Sequence, residues 1–310
     1  MPSNTVNESP EKSNAAVVMV MVAMVGLALK GIFAKLAYYE GLSVTDVLVG
    51  RVLLATPVFW LIAWGSGHHR GWGSKADLGK ALGLGVVFLI AAGADFAAVD
   101  RLGAGPSRVL LFSYPGWVLV IEAARRRRVP QRHHMGTFAV AWVGLCFVST
   151  PGGLSAMHQD QLVGVGFAVL AAISYACFTA ASQGVVRRMG SVRFVVGSNT
   201  GAALALFAVA PWLDFGSTPV TWAGAGWLIA MAWLATVGPV FLTFDAIRRI
   251  GAERVSLLML LGPVVTLIAA NVILSETLTI GQLVGTVLVV GSIGTLHLLD
   301  ARGSTKRLRG

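Results

Sequence analysis

The sequence predicts an all-α polytopic membrane protein of ten transmembrane helices, laid out as two inverted five-helix repeats. Three observations carry that prediction. Only 12% of the 310 residues are charged while 55% are hydrophobic, against the charged fraction of about 25% usual in a soluble domain. Uncharged runs of about 20 residues, long enough to cross a hydrocarbon core as a helix, recur along the whole chain. A stretch in the first half is also written again in the second. The alternating period of a membrane β-barrel is absent from the sequence, so helices are expected.

In chain order, residues 1–14 read as a cytoplasmic N-terminal tail and the first span covers about 15–37. It is too long for a signal h-region, and its leader, with Glu8, Glu11 and Lys12, is not basic. An uncleaved first helix is therefore expected, although its terminal "AKLA" slightly resembles a cleavage site. Further spans follow at about 46–65, 79–99, 104–124 and 135–150, closing the first repeat (15–150). After an extracytoplasmic linker, 151–161, the second repeat (162–299) holds spans at about 162–184, 193–212, 222–246, 252–273 and 280–299. Residues 300–310 read as a basic cytoplasmic tail. Trp64, Trp212 and Trp222 fall at span ends, where interfacial anchors belong; Trp117 and Trp233 lie deeper. Gly197–Gly201 and Gly281–Gly285 are GxxxG spacings, expected in internal helix packing or, less often, in a homodimer face.

The net charge of +10 first suggests nucleic acid, but its distribution does not. Under the ten-span reading one set of loops carries Arg70, Lys75, Lys80, the run Arg125 to Arg128, Arg132, Arg187, Arg188, Arg193, Arg248, Arg249 and Arg254. The opposite loops hold Arg101 and Arg108 beside Glu40, Asp46, Asp100, Asp160, Asp214 and Glu276. That asymmetry places both termini in the cytoplasm and the chain in an inner membrane. No stretch interleaves the cations with stacking aromatics, so nucleic acid is not an expected partner. The bilayer is.

Around the fourth span the chain reads "RLGAGPSRVLLFSYPGWVLV" and around the ninth "RIGAERVSLLMLLGPVVTLI". Arg101, Gly103, Ala104 and Pro115 match Arg249, Gly251, Ala252 and Pro263 at one offset, and "LVGR" at Leu48 to Arg51 falls on "VVGS" at nearly the same one. Because each copy has an odd number of spans, the second must enter the membrane inverted, a recurrent plan of secondary transporters. With "KGIFAKLA" in the first helix, "GRVLLATPVFW" in the second and the ending "RIGAERVSLLMLLGPVVTLIAANVILSETLTIGQLVGTVLVVGSI", the chain resembles the drug/metabolite transporter superfamily. Within it, the likeness is to the ten-helix branch built from two EamA repeats. The acidic residue that follows the proline by thirteen positions is Glu276 in the second copy but Arg128 in the first, so the resemblance carries that role over to the second half alone. It also implies export or exchange of small polar metabolites such as amino acids.

Ionisable groups inside spans are costly, and each is a candidate functional residue. Lys30, Arg51 and Asp95 belong to the first three helices and are expected to meet in one half-cavity. Lys30 supports two readings: its ammonium attracts an anionic group of the substrate, or it pairs with Asp95 and ties two helices together. Arg51 reads equally as a gate or as a structural tie. Asp95 is the best candidate for proton coupling, since a buried acid can be neutral in one state and charged in another. Lys35 is expected to snorkel to the interface. Glu122 and Asp245 are expected in local ion pairs near Arg125 and Arg248. Glu276 reads as a structural charge suited to the N-terminus of the tenth helix.

Tyr175, Thr179 and Ser182 share a face of the sixth helix by their spacing of four and three. With Tyr114, Trp117 and Asn199 they complete the polar and aromatic candidates for substrate binding or gating. Pro115, Gly238, Pro239 and Pro263 are hinge candidates, because proline removes a backbone donor. Cys146 and Cys177 read as small apolar fillers, and the His68–His69 and His133–His134 pairs as solvated loop residues; no metal or cofactor is expected.

No G-x-x-x-x-G-K-[ST] motif occurs in the sequence, so gradient coupling or downhill flow is expected in place of direct ATP use. The sequence reading is therefore a secondary transporter, not an enzyme. The competing readings are a drug or cation efflux protein of the same fold, an intramembrane enzyme and a passive channel. His297 is the one span histidine and the span aspartates are isolated, which disfavours the enzyme.

Overall fold

The structure, a computed structural model, describes residues 10–68, 71–125, 136, 139–140, 143–144, 158–250, 255, 258–259 and 261–307. The fifth predicted span at 135–150, with Cys146, lies almost wholly outside them, as do His69, Arg70, Arg126 to Arg128, Arg132, the His133–His134 pair and Arg254.

Among the described residues the chain is helical, with no strand. The first half contains α1 (Pro10–Tyr39), α2 (Val44–Gly65), α3 (Lys75–Leu102), α4 (Ala104–Leu111) and α5 (Tyr114–Arg125). The second contains α6 (Gln159–Met189), α7 (Ser191–Val209), α8 (Trp222–Ala232), α9 (Gly238–Ile250), α10 (Gly262–Leu274) and α11 (Ile280–Arg307). Among the described residues six stretches are long and apolar enough to cross a membrane: Asn14–Tyr39, Val44–Gly65, Lys75–Leu102, Gln159–Met189, Ser191–Trp212 and Trp222–Thr243. Helix α6 begins inside the predicted linker, and α11 runs into the predicted C-terminal tail.

Among the described residues the fourth and eighth predicted spans are interrupted, and the ninth turns at Leu261 before α10. The fourth breaks at Phe112 and Ser113, where the amides make tight-turn bonds back to Val109 and Leu110. Pro115 explains the break: it has no amide to donate to the Leu111 carbonyl, whereas the first turn of a new helix tolerates a proline. The eighth span changes winding over Trp233–Val237, a π-helical turn whose last bond runs from the Gly238 amide to the Trp233 carbonyl. Pro239 cannot donate to the Ala235 carbonyl, and the wider turn accommodates the lost bond.

Helix packing runs mainly between the halves. Helix α3 lies along α6 and α7, α1 along α9 and α10, and α2 along α7 and α8. Small residues permit this closeness, since in lipid helix association relies on van der Waals contact more than on an apolar driving force. A methyl group at Gly201 would collide with the Leu82 backbone, and one at Gly85 with the Ser198 carbonyl. The Gly197–Gly201 spacing therefore packs inward against α3. The Gly26 position on α1 is similarly filled by the Pro239 ring and the Leu234 carbonyl, so α1 crosses directly over the π-helical turn.

One end of the bundle is tied by acidic side chains. Asp46 completes a capping box with Ser43 at the start of α2 and also accepts from the Gly216 amide at 2.9 Å. Thr221 donates to Glu40 at 2.8 Å. Glu276 reaches the first half, accepting from the amides of Ala104 and Gly105 at 2.9 and 3.3 Å. The expected partner, the N-terminus of the tenth helix, is thus replaced by that of α4. At the opposite end Arg188 donates to Asp77 through two guanidinium nitrogens, at 2.9 and 2.6 Å.

Candidate functional site

The buried charges converge between α1, α2, α3 and α4. Lys30 Nζ lies 2.5 Å from Asp95 Oδ2 and 5.4 Å from the centre of the Phe96 ring. Asp95 is 4% exposed and Arg51 5%. The Arg51 guanidinium lies over the Phe88 ring at 5.2 Å, and its Nε donates to Thr236 Oγ1 at 3.4 Å. Thr236 in turn donates to the Met231 carbonyl five residues back, at 3.0 Å. The π-helical turn therefore presents the hydroxyl that receives Arg51.

A third cation joins them. Arg108 on α4 donates to the Leu27 carbonyl of α1 at 3.3 Å, and it shares with Lys30 and Arg51 an electrostatic interaction with Asp95. Tyr175 on α6 also lies within electrostatic range of Arg51, Arg108 and Asp95. Its ring meets Tyr114 edge-on, with centres 4.9 Å apart, and stacks near Phe178 at 6.2 Å. Phe178 touches Phe88 at 5.1 Å. Charges and rings thus form one contiguous group, with aromatic faces closing the side toward α6.

Of the residues singled out in the sequence, Lys30, Arg51, Asp95, Tyr114 and Tyr175 are brought together. Trp117 and Tyr114 pack on the adjoining cluster of Ala94, Leu111, Ala171 and Ala172. Thr179 and Asn199 instead turn back on their own helices, donating to the Tyr175 and Val195 carbonyls at 2.8 and 2.9 Å. Ser182 likewise donates to Thr179 O at 3.0 Å. Lys35 lies apart, donating to the Asp100 carbonyl at 3.0 Å. Asp245 makes a local ion pair with Arg249 at 2.8 Å; the side chains of Arg248 and Glu122 lie outside the described residues.

The proline breaks frame this group. Pro115 opens α5, Pro263 opens α10, and Gly238 with Pro239 follows the π-helical turn. Gly262 faces the Phe112 ring so closely that a methyl group there would meet it at 3.2 Å. The interruptions of the two halves therefore lie against each other.

Sequence reading missed Arg108, Phe88, Phe178 and Thr236. Arg108 had a usable signal: it stands four residues past Ala104, where the fourth span was drawn to begin, yet its charge was counted with the loops. The aromatic partners carry no such signal, because a phenylalanine in an apolar span looks the same whether it faces lipid or a guanidinium.

Comparison with known proteins agrees with this architecture. Residues 162–297 match the EamA-like transporter family. The chain is 30% identical over 285 residues to the uncharacterised transporter YcbK of Bacillus subtilis strain 168, covering 87% of this chain and 89% of that protein. It is 24% identical over 228 residues to the uncharacterised transporter sll1319 of Synechocystis strain PCC 6803, covering 73% and 68%. A solved crystal structure superposes with a TM-score of 0.62 at 18% identity, over 93% of this chain and 98% of that one.

Proposed function

The chain belongs to the EamA-like transporter family, and from that premise we propose a secondary transporter that exports or exchanges a small polar metabolite, such as an amino acid or a related compound. It works by alternating access between two inverted five-helix halves. It resides in the inner membrane with both termini in the cytoplasm, as the loop charges favour.

The observation that carries the reading is the pattern of contacts between halves. Number the predicted spans from one to ten, so that α4 and α5 form the fourth and α8 and α9 the eighth. Exchanging the halves then turns the contact of the third with the sixth into that of the eighth with the first. The fourth with the sixth becomes the ninth with the first, and the second with the seventh maps onto itself; all of these contacts occur. One pair of breaks obeys the same exchange, because Ser113 before α5 and Leu261 before α10 stand at matching repeat positions; the π-helical turn of the eighth span has no counterpart in the continuous α3. Broken helices where inverted repeats meet are characteristic of transporter sites, and two similar halves supply the two similar-energy arrangements that alternating access needs.

In this mechanism the Lys30–Asp95 pair holds α1 to α3 in one state. Substrate or a proton competes for one member of the pair, freeing the helices to move. Reconstituted vesicles preloaded with an unlabelled amino acid test the proposal. Trace label should accumulate transiently above its external concentration; flux that merely equilibrates would identify a channel.

A further inference from the structure

Three cations, Lys30, Arg51 and Arg108, lie within electrostatic range of one carboxylate, Asp95. Asp95 is already engaged by Lys30 at 2.5 Å. Among the described residues neither Arg51 nor Arg108 has a carboxylate within ion-pairing distance. Their protein contacts are a hydroxyl, a ring face and one backbone carbonyl. None of these is an anion. A buried guanidinium offers five donors in a fixed fork and is expensive to leave without one. The local excess is positive, and among the described residues the other acidic groups do not offset it: Glu276 and Asp46 are held by backbone amides at one end of the bundle, and Asp77 is held by Arg188 at the other.

We infer that the missing counter-charge is the cargo: a small organic anion whose carboxylate or phosphate is gripped by Arg51 and Arg108 and whose apolar or aromatic body lies against Tyr175 and Tyr114. This names the substrate class of the transport site proposed above and rests on that proposal. The geometry supports it from two sides. Arg51 is fixed between Phe88 and the Thr236 hydroxyl, which orients its fork without neutralising it. The edge-on pair of tyrosine rings adjoins the charges, where a flat body can stack. A cationic drug would add to the positive excess.

The test uses the detergent-purified protein in thermal-shift titrations with phenylacetate, 4-hydroxyphenylacetate and indole-3-acetate. Their neutral amides, phenethylamine and inorganic phosphate serve as comparisons. At least one carboxylate should raise Tm with saturation, since a ligand of the folded state stabilises by mass action. Its amide and phenethylamine should not. Arg51→Gln and Arg108→Gln should each weaken that carboxylate by about tenfold or more, while Arg51→Lys, which keeps the charge, should retain part of the binding. A variant must elute as a single folded species to be scored.

No response to any carboxylate overturns the inference, as does an equal response to the amide or amine, or unchanged affinity in both glutamine variants. If inorganic phosphate alone reproduces the full shift, the group is a simple counter-ion site and the organic cargo is overturned. The two proposals fail separately. Saturable exchange of phenethylamine in vesicles would overturn the anion while leaving the transporter; tight carboxylate binding with no exchange would do the reverse.

Discussion

Lys30 and Asp95 satisfy each other, and their contact is short enough to make each the other's main support. Removing one partner leaves a charge in a poorly solvated place, which costs about 3–5 kcal/mol in buried pairs, whereas removing both costs far less. Lys30→Met and Asp95→Asn should therefore each lower Tm in detergent more than the double variant does. Additive losses would show that the pair is not coupled. The pairing could be anticipated in the sequence because Lys30 in the first span and Asp95 in the third both lie outward of the middle of their spans, where a buried charge needs a partner. Arg51 could be anticipated as a buried cation, but its contact was not: Thr236 lies 185 residues away, on a turn whose π winding no residue pattern announces.

Helical interruptions carry the next level of organisation. Pro115, Pro239 and Pro263 were legible as hinge candidates, because a missing amide is a property of the residue type. What each proline produces depends on its neighbours. Pro115 and Pro263 open new helices, whereas Pro239 widens the preceding turn and packs its ring on Gly26. Glu276 shows how far a loop can act. Ser275 adopts a left-handed φ of 55° and Asn271 donates to the Glu276 carbonyl at 2.9 Å, which aims the carboxylate at the N-terminus of α4. Loss of such a cap costs about 0.5–2 kcal/mol, so Glu276→Ala should lower Tm measurably, and a Tm equal to the parent's would exclude the cap. Close helix crossings make an independent prediction. Gly201→Ala should disrupt folding, since its methyl group meets the Leu82 backbone, whereas Gly226→Ala, with nothing within 4 Å, should be neutral. Size-exclusion profiles of the two variants check both outcomes, and a normal Gly201→Ala profile would contradict the crossing.

Across the whole molecule, composition was enough to indicate helices in a membrane, and the rewritten "RLGAGP" and "RIGAER" stretches were enough to suggest two halves. The cross-half packing could not be read there. It depends on which small residues meet, and glycines are too frequent in this chain, at 37, to single out Gly85 or Gly201. The site has the same character: its members come from each of α1 to α6, so no local motif contains it. Such a site also leaves a trace in stability. A fold optimised for rigidity would not bury Arg51 without a carboxylate, so the residue is expected to cost stability and be retained for transport.

Measuring Tm and vesicle counterflow together on Arg51→Gln tests that claim most directly. The account predicts a folded protein with Tm unchanged or raised and exchange lost. A variant that melts several degrees lower yet exchanges at the parent rate would contradict it, because Arg51 would then be a structural tie with no part in transport.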